Sequence, residues 1–600
     1  MVRMLGVTFF FSVFVGLQAI GQTGPCACPP AANRPVRYIS DNAGAGTGTA
    51  TWTCDTTYVL TGPVFVNAGH TLTIEPGTVV KGRTAVVVDT LDMYVLPNGN
   101  PSPRIDYVFS QEAGSLIIAR GAQIFAEGTP SCPIVFTYEG DPLDGSSGYT
   151  VQGKWGGLIV CGRGTLNTFF NSVNVFAGTD TAEGVIDPTG ANRHTYGGGA
   201  SPTESSGVLK YISLRHGSTS RGRNQFYNGN ETNLLQLCGV GSGTTVDYIE
   251  VIGSADDGIQ IMGGLVGIRH IGAAFNREDG IEFDQGWQGR GQHLFVVTDE
   301  LAGCGEHAGD YEGDDWEEFN VHLTFMPYTR PELYNQTYIG RGGIPAIRLH
   351  NGGAARMHNS LFVNFSQGID FEDYDPCDAW ELLLFEELLL RNNRFWDIGD
   401  STSVQDMILY DGYVWNGQTG VEEHFLTNGN AAGNPGIDAE FTASGGFITD
   451  ALSPLPTSPS WTMPASELPT DPWFEAAPHW GAFEPGGDNW LTCWTYMEQL
   501  GLFGATTPGP GDLIPGCMYS FACNFDPAAT VDNGTCEIAS CAGCMDPAAL
   551  NYDAEATLPD GGCTYTPPAP VCPEDLDGNG VVGTSDLLVF LGAFGDSCPE

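Results

Sequence analysis

The chain is nearly without lysine: Lys81, Lys154 and Lys210 are the only three in 600 residues. Charged residues of either sign make up 16%, and 23 basic side chains face 71 acidic ones, for a formal net charge of −48. A field of that sign repels nucleic acid and anionic membranes, which argues against both as partners and favours metal cations or neutral ligands. An acidic surface also keeps an exported protein soluble, so charge alone assigns no ligand. Long apolar runs are scarce too. Leu5–Leu17 follows Arg3 and is too short for a bilayer span. With Ala19-Ile20-Gly21 behind it, this segment reads as a signal peptide over residues 1–21, and Cys26 lacks the small-residue context of a lipoprotein cysteine. No later segment can insert into a membrane, so the mature chain is expected to be secreted or on the cell surface. G-x-S-x-G, P-loop and H-E-x-x-H motifs are absent, so nothing signals a nucleophile elbow, a phosphate cradle or a metalloprotease helix.

Glycine, by contrast, is abundant at 82 residues, and 42% of the chain is hydrophobic. That describes a folded chain with many tight turns. The turns are periodic. "VDYIEVIGSADDGIQI" (Val246–Ile261) aligns without gaps to "IRHIGAAFNREDGIEF" (Ile268–Phe283) at an offset of 22. "PAIRLH" (Pro345–His350) and "SQGIDFE" (Ser366–Glu372) fall in phase, with Ala346 lying 66 and Gly368 lying 88 residues beyond Gly280. Upstream, "TLTIEPGTVVKG" (Thr71–Gly82) aligns with "SLIIARGAQIFA" (Ser115–Ala126) at an offset of 44, across a loop that contains "NGNPSPRIDYVF". Short alternating strands repeating near 22 residues define an all-β parallel β-helix, in which stacked coils share one dry interior. No amphipathic helices recur between the strands, which disfavours an α/β fold. Alternation turns Ile259, Ile261, Ile281, Phe283, Ile347, Leu349, Ile369 and Phe371 inward, and Gly258, Gly280 and Gly368 share one turn position. "AWELLLFEELLLRNN" (Ala379–Asn393) is ambiguous, with a second half that suits a coil strand.

The β-helix is expected over residues 22–503. Pro-rich Leu452–Pro472 should lie extended on the solenoid, and aromatic His479–Phe503 should cap its C-terminal end. A linker at 504–515 leads to two Cys-rich 27-residue repeats within 516–565, and a second linker, 566–571, precedes a terminal module at 572–600. Of the 17 cysteines, eight fall in this tail: Cys517, Cys523, Cys536, Cys541, Cys544, Cys563, Cys572 and Cys598. Such small units have too little core to hold themselves, so disulfides are expected there. Zinc is the poorer reading because the spacings form no paired C-x-x-C knuckles, and connectivity stays open.

The terminal module carries the most specific motif. Asp575-x-Asp577-x-Asn579-Gly580 followed by Asp586 matches an EF-hand calcium loop, with Asp in place of the usual final Glu. Oxygens of Asp575, Asp577 and Asn579, the Val581 carbonyl and Asp586 would converge on Ca²⁺ as a helix begins. On the solenoid, one outward column reads Gln260, Glu282, Arg348, Asp370 and its neighbour Met262, Asp284, His350, Glu372. An insertion threads "GDYEGDD" between them and adds Glu312 and Asp314. Glu282, Asp284, Arg348, His350, Asp370 and Glu372 are candidate catalytic groups. The same ladder more often forms cross-strand ion pairs on a solvated sheet face, and it also suits a cation. Asp256, Asp257, Glu278 and Asp279 precede the coil glycines and read as turn caps. His307 beside Cys304 has no third ligand in sequence. Trp287, Trp316, Trp461, Trp473 and Trp480 either stack on sugars or close loops over the coils.

The ordered motifs "LTIEPGTVVKGR", "IIARGAQIFAEGTPSCPIVFT", "GKWGGLIVCGRGTLN", "GVGSGTTVDYIEVIGSADDGI" and the closing "WGAF…NWLTCWTY" resemble secreted pectate-lyase-like β-helix proteins typical of Bacteroidota. The resemblance implies a right-handed β-helix and carries over no activity. The "GCM" repeats at Gly516 and Gly543 resemble Cys-rich repeats of the same group, and the terminal loop resembles one half of a dockerin. The reading is an extracellular binding or scaffold protein for a polysaccharide or a cell-surface or matrix component, stiffened by calcium. A polysaccharide lyase or glycoside hydrolase working on the acidic outer face is the alternative, and a passive adhesin or stalk is the third. Oligomeric state is not readable.

Overall fold

The structure is a computed structural model that describes residues 28–92, 105–167, 178–199, 201–220, 222–223, 231–300, 303, 306–313, 326–341, 343–373, 382–383, 385–412, 418–457 and 463–504, with short stretches beyond, the longest being 574–594. Strands Thr245–Ile252, Gly267–Ala274, Arg290–Val297 and Glu332–Ile339 stack in parallel, each in register with the next. They belong to a 17-stranded sheet, and a second sheet of 10 strands closes the coil. The protein is an all-β parallel β-helix. Its interior is one continuous apolar column that includes Ile259, Ile261, Ile281, Phe283, Ile347, Leu349, Ile369 and Phe371, the residues that period-2 alternation turns inward.

Each long strand of the first sheet turns a corner through one residue in the left-handed region. Tyr211, Tyr248, His270, His293 and Asn335 all have φ between 48° and 57°. The pairing Lys210↔Asp247 resumes at Ile212↔Ile249 and skips these residues. A non-glycine residue at positive φ costs on the order of 1–2 kcal/mol. Ring stacking offsets it: Tyr211–Tyr248, Tyr248–His270 and His270–His293 centroids lie 4.3, 4.2 and 4.9 Å apart. Further along, asparagines take over the corner, and Asn392 Nδ2 donates to Asn359 Oδ1 at 2.8 Å. The coil glycines answer to crowding rather than to torsion. A Cβ on Gly258 would sit 2.7 Å from the Gly280 carbonyl oxygen of the next coil.

Three placements differ from expectation. Thr71–Ile74 pairs with Gln123–Glu127, whereas Ser115–Ile118 pairs with Pro63–Val66 in the other sheet. Both segments are apolar–turn–apolar corners, and a pattern alone does not say which corner of the coil it builds. The 66 residues from Gly280 to Ala346 hold two coils rather than three, with Gly309–Glu312 as the strand between Ile281–Asp284 and Pro345–His350. Insertions on each coil happen to restore a multiple of the period. Third, the aromatic segment before Gly504 lies along the flank of the solenoid rather than over its end. Trp494 meets Tyr211 edge-on, Phe483 meets Phe295, and the Trp480 indole donates to the Asn392 carbonyl at 2.6 Å. Ile252, Phe275, Phe295, Val297 and Ile339 on that flank pack with Phe483, Trp494, Tyr496 and Met497 of the strap in a second apolar cluster.

The "NGNPSPRIDYVF" insertion contributes to an antiparallel pair, Val86–Asp92 with Ile105–Gln111. Leu389–Arg391, in the ambiguous leucine run, is a coil strand paired to Arg356–His358. Cys28 and Cys54 form a disulfide. The eight C-terminal cysteines, Cys304, Asp314, Trp316 and Trp461 lie outside the described residues. The chain divides into two compact units between Gly504 and Ala505. No helix among the described residues is long and apolar enough to cross a membrane.

The strap is anchored on one buried carboxylate. Glu250 accepts from the Tyr496 and Met497 amides at 2.8 and 2.7 Å and from the Ser213 hydroxyl. Glu250→Ala strands two buried amides and should cost roughly 2–5 kcal/mol. Denaturant unfolding measures this, and a loss under about 1 kcal/mol would contradict the anchoring role.

Candidate functional site

The outer face of the ten-stranded sheet gathers the charged groups. In its register, Gln236, Gln260, Glu282, Asp310, Arg348 and Asp370 follow one another coil by coil. Beside them run Cys238, Met262 and Asp284, then Glu312 and His350. The two expected columns therefore exist, with Asp310 entering between Glu282 and Arg348 and Glu312 entering the second. Glu372 shares the strand Gln367–Asp373, and its side chain lies outside the described residues.

These columns are not a solvated ladder. Asp284 is 3% exposed and Asp310 7%, while Glu282, Arg348 and Asp370 are half-buried. Asp310 binds the row together: His350 Nε2 lies 2.9 Å from its Oδ1 and Arg348 Nη1 4.0 Å from its Oδ2. Burial opposes ionisation of Asp310, yet His350, His307 and Arg348 together hold its pKa below the ordinary value. Next to it, burial and mutual repulsion prevail. Burial first, then Asp257, pushes Glu282 well up, and Glu282 shares a hydrogen bond with Asp257. Burial also raises Asp257 to about 6.

Of the four turn acids, Asp257 and Asp279 cap backbone amides, and they do so between coils. Asn233 Oδ1 accepts from the Asp257 amide at 3.0 Å, Asp257 Oδ1 from the Asp279 amide at 2.9 Å, and Asp279 Oδ1 from the His307 amide at 2.8 Å. Each side chain thus caps the equivalent position one coil on. The price is crowding: Asp256 and Asp279 are pushed well up by burial and then by neighbouring carboxylates. His307 is not isolated. Asp279 and Asp310 bring carboxylate oxygens to it, and the three ligand atoms lie within 4.8 Å of one another. Sequence reasoning missed this because Asp279 belongs to the preceding coil. Asp310, three residues after His307, was the one available signal.

Of the five tryptophans singled out in the sequence, Trp287 is core, its ring 4.5 Å from that of Phe283, and Trp480 is a buried part of the strap. Trp473 is half-buried and stacks with Arg269 at 5.1 Å. A second cluster, His270, His293 and Glu475, lies on the flank, where the corner stack meets the strap.

In the terminal module Asp575, Asp577 and Asp586 converge, their ligand atoms within 4.8 Å. Asp575 Oδ1 and Asp577 Oδ1 both accept from the Asn579 amide at 3.1 Å, and Gly580 turns the loop at φ 84°. Asp586 caps the helix Thr584–Gly592 through the Gly583 amide at 2.7 Å. Three carboxylates of the loop are thus assembled close together at the start of the helix.

A solenoid of stacked parallel coils with a charged outer face on one sheet defines the class as a parallel β-helix protein. The sequence pattern of the pectate-lyase like β-helix domain family matches residues 44–443, and the chain belongs to that family. No curated protein and no solved structure matches the chain.

Glu278 offers a pH test of the crowded turn. Burial, then Asp257 and Glu306, raises it from 4.5 to about 7. The folded chain holds this proton to higher pH than the unfolded chain, so ionising Glu278 costs stability as pH climbs from about 4.5 to 7. Glu278→Gln removes that cost. By calorimetry without divalent cations, the variant's Tm advantage should be near zero at pH 4 and grow up to pH 8. An advantage that does not change with pH would contradict the crowding.

Proposed function

We propose that this protein is exported and binds a neutral polysaccharide along the outer face of the ten-stranded sheet. The observation that carries this reading is the register row in which half-buried Glu282, Arg348 and Asp370 follow one another around Asp310. Carboxylates accept hydrogen bonds from sugar hydroxyls, and the Arg348 guanidinium donates to them. The net charge of −48 repels polyanionic chains and leaves neutral glycans as the partner. The signal-like segment 1–21 and the Cys28–Cys54 disulfide support an extracellular setting.

Cleavage is a second reading, favoured by one contact. A proton held between Glu282 and Asp257 beside ionised Asp310 places a carboxylic acid near a carboxylate, the pairing that glycoside hydrolysis uses. At the other end of the chain, the Asp575, Asp577, Asn579, Val581 and Asp586 loop suits Ca²⁺ as the ion that orders the terminal module.

Affinity electrophoresis against neutral and acidic polysaccharides tests the main reading. At least one neutral glycan should retard the protein, and Arg348→Ala should weaken retention about tenfold. Equal retention by the variant, or none by the wild type, would sink it. New reducing ends or unsaturated products in the same incubations would decide for cleavage. For calcium, chelation should lower the melting temperature of the terminal module in the wild type and leave Asp575→Ala unchanged.

A further inference from the structure

We propose that Asp279, His307 and Asp310 form a site for a divalent transition-metal ion of the zinc or manganese type. Their ligand atoms lie within 4.8 Å of one another, and His307 Nδ1 is 3.6 Å from Asp279 Oδ1. Two ligands each about 2.1 Å from one ion sit about 3–4 Å apart, so little adjustment is needed to close on it. The second observation is the imidazole itself. His307 is 9% exposed, and its Nδ1 is buried without a hydrogen-bond partner. A buried ring nitrogen aimed at two carboxylates and bonded to neither is the arrangement a cation completes.

The donor set selects the ion class. Calcium and magnesium take oxygen ligands, whereas an imidazole with two carboxylates suits zinc or manganese. The surroundings hold the ligands in place. Asp257 Oδ1 fixes the Asp279 backbone, Asp279 Oδ1 takes the His307 amide, and His350 Nε2 holds Asp310 Oδ1 at 2.9 Å. Outer partners of this kind, two backbone hydrogen bonds and one ion-pair contact, orient metal ligands. The ion would join two successive coils, since Asp279 precedes the strand Ile281–Asp284 while His307 and Asp310 belong to the coil of Gly309–Glu312, and His350, which closes Pro345–His350, supports it from a third. It would also add positive charge beside Glu282. Sugar binding does not require the ion, so the two ideas fail separately.

The test uses the full chain carrying Asp575→Ala and Asp577→Ala, which removes the terminal loop as a competing site. After chelation and dialysis, zinc is titrated by calorimetry, metal content is measured on the desalted protein, and cobalt is added as a visible-absorbing probe of nitrogen and oxygen ligands. One equivalent should bind and raise the β-helix melting temperature. His307→Ala and Asp310→Asn should each weaken binding more than about 100-fold, and His350→Gln about tenfold, with unchanged circular dichroism. No bound equivalent, or one retained undiminished in whichever ligand variants fold, overturns the proposal. Loss in His307→Ala with retention in a His293→Ala control separates this site from the flank histidines.

Discussion

The structure depends on coil-to-coil register. In a parallel stack, the strand backbone of one coil is hydrogen-bonded to the coils above and below, so a slip of one residue would turn an apolar column outward and a charged column inward. The corner residues set that register. Tyr211, Tyr248, His270, His293 and Asn335 each hold a costly positive φ, and stacked rings or ladder amides offset the cost only when every corner lies directly over the last. The same condition lines up Glu282, Asp310, Arg348 and Asp370 on the opposite sheet. The site is therefore a by-product of register: charges far apart in sequence become neighbours because the coils cannot shift.

Register also explains the electrostatics. Acidic residues in equivalent turn positions cap the next coil's backbone, which stabilises each turn locally and piles like charges together globally. Where a histidine or arginine enters the row, as at Asp310, the carboxylate ionises readily. Where none does, as at Glu282, burial and repulsion hold the proton on. A row that alternates between these two conditions offers both proton-holding and charged groups to a ligand. The flank is treated differently, since its apolar outer face is roofed by a strap tied to buried Glu250.

Much of this was legible in the residues. The 22-residue alignment of Val246–Ile261 with Ile268–Phe283 is the observed pairing, residue for residue at Ile249↔Ile271 and Ile259↔Ile281. The inward set and the two outward columns follow from period-2 alternation, which needs no tertiary information once a strand is located. Trp287 and Trp480 were open in sequence between sugar platform and packing, and both are buried in packing.

The sequence by itself determined the period, the inward face and the oxygen-rich terminal loop, because each is a local pattern whose spacing encodes its geometry. Tertiary structure alone decided the rest. Which corner Thr71–Ile74 builds, how many coils lie between Gly280 and Ala346, where the aromatic strap lies, and that His307 meets Asp279 all depend on insertions of unequal length. An insertion changes spacing along the chain without changing spacing across the stack, and in a solenoid function is read across the stack.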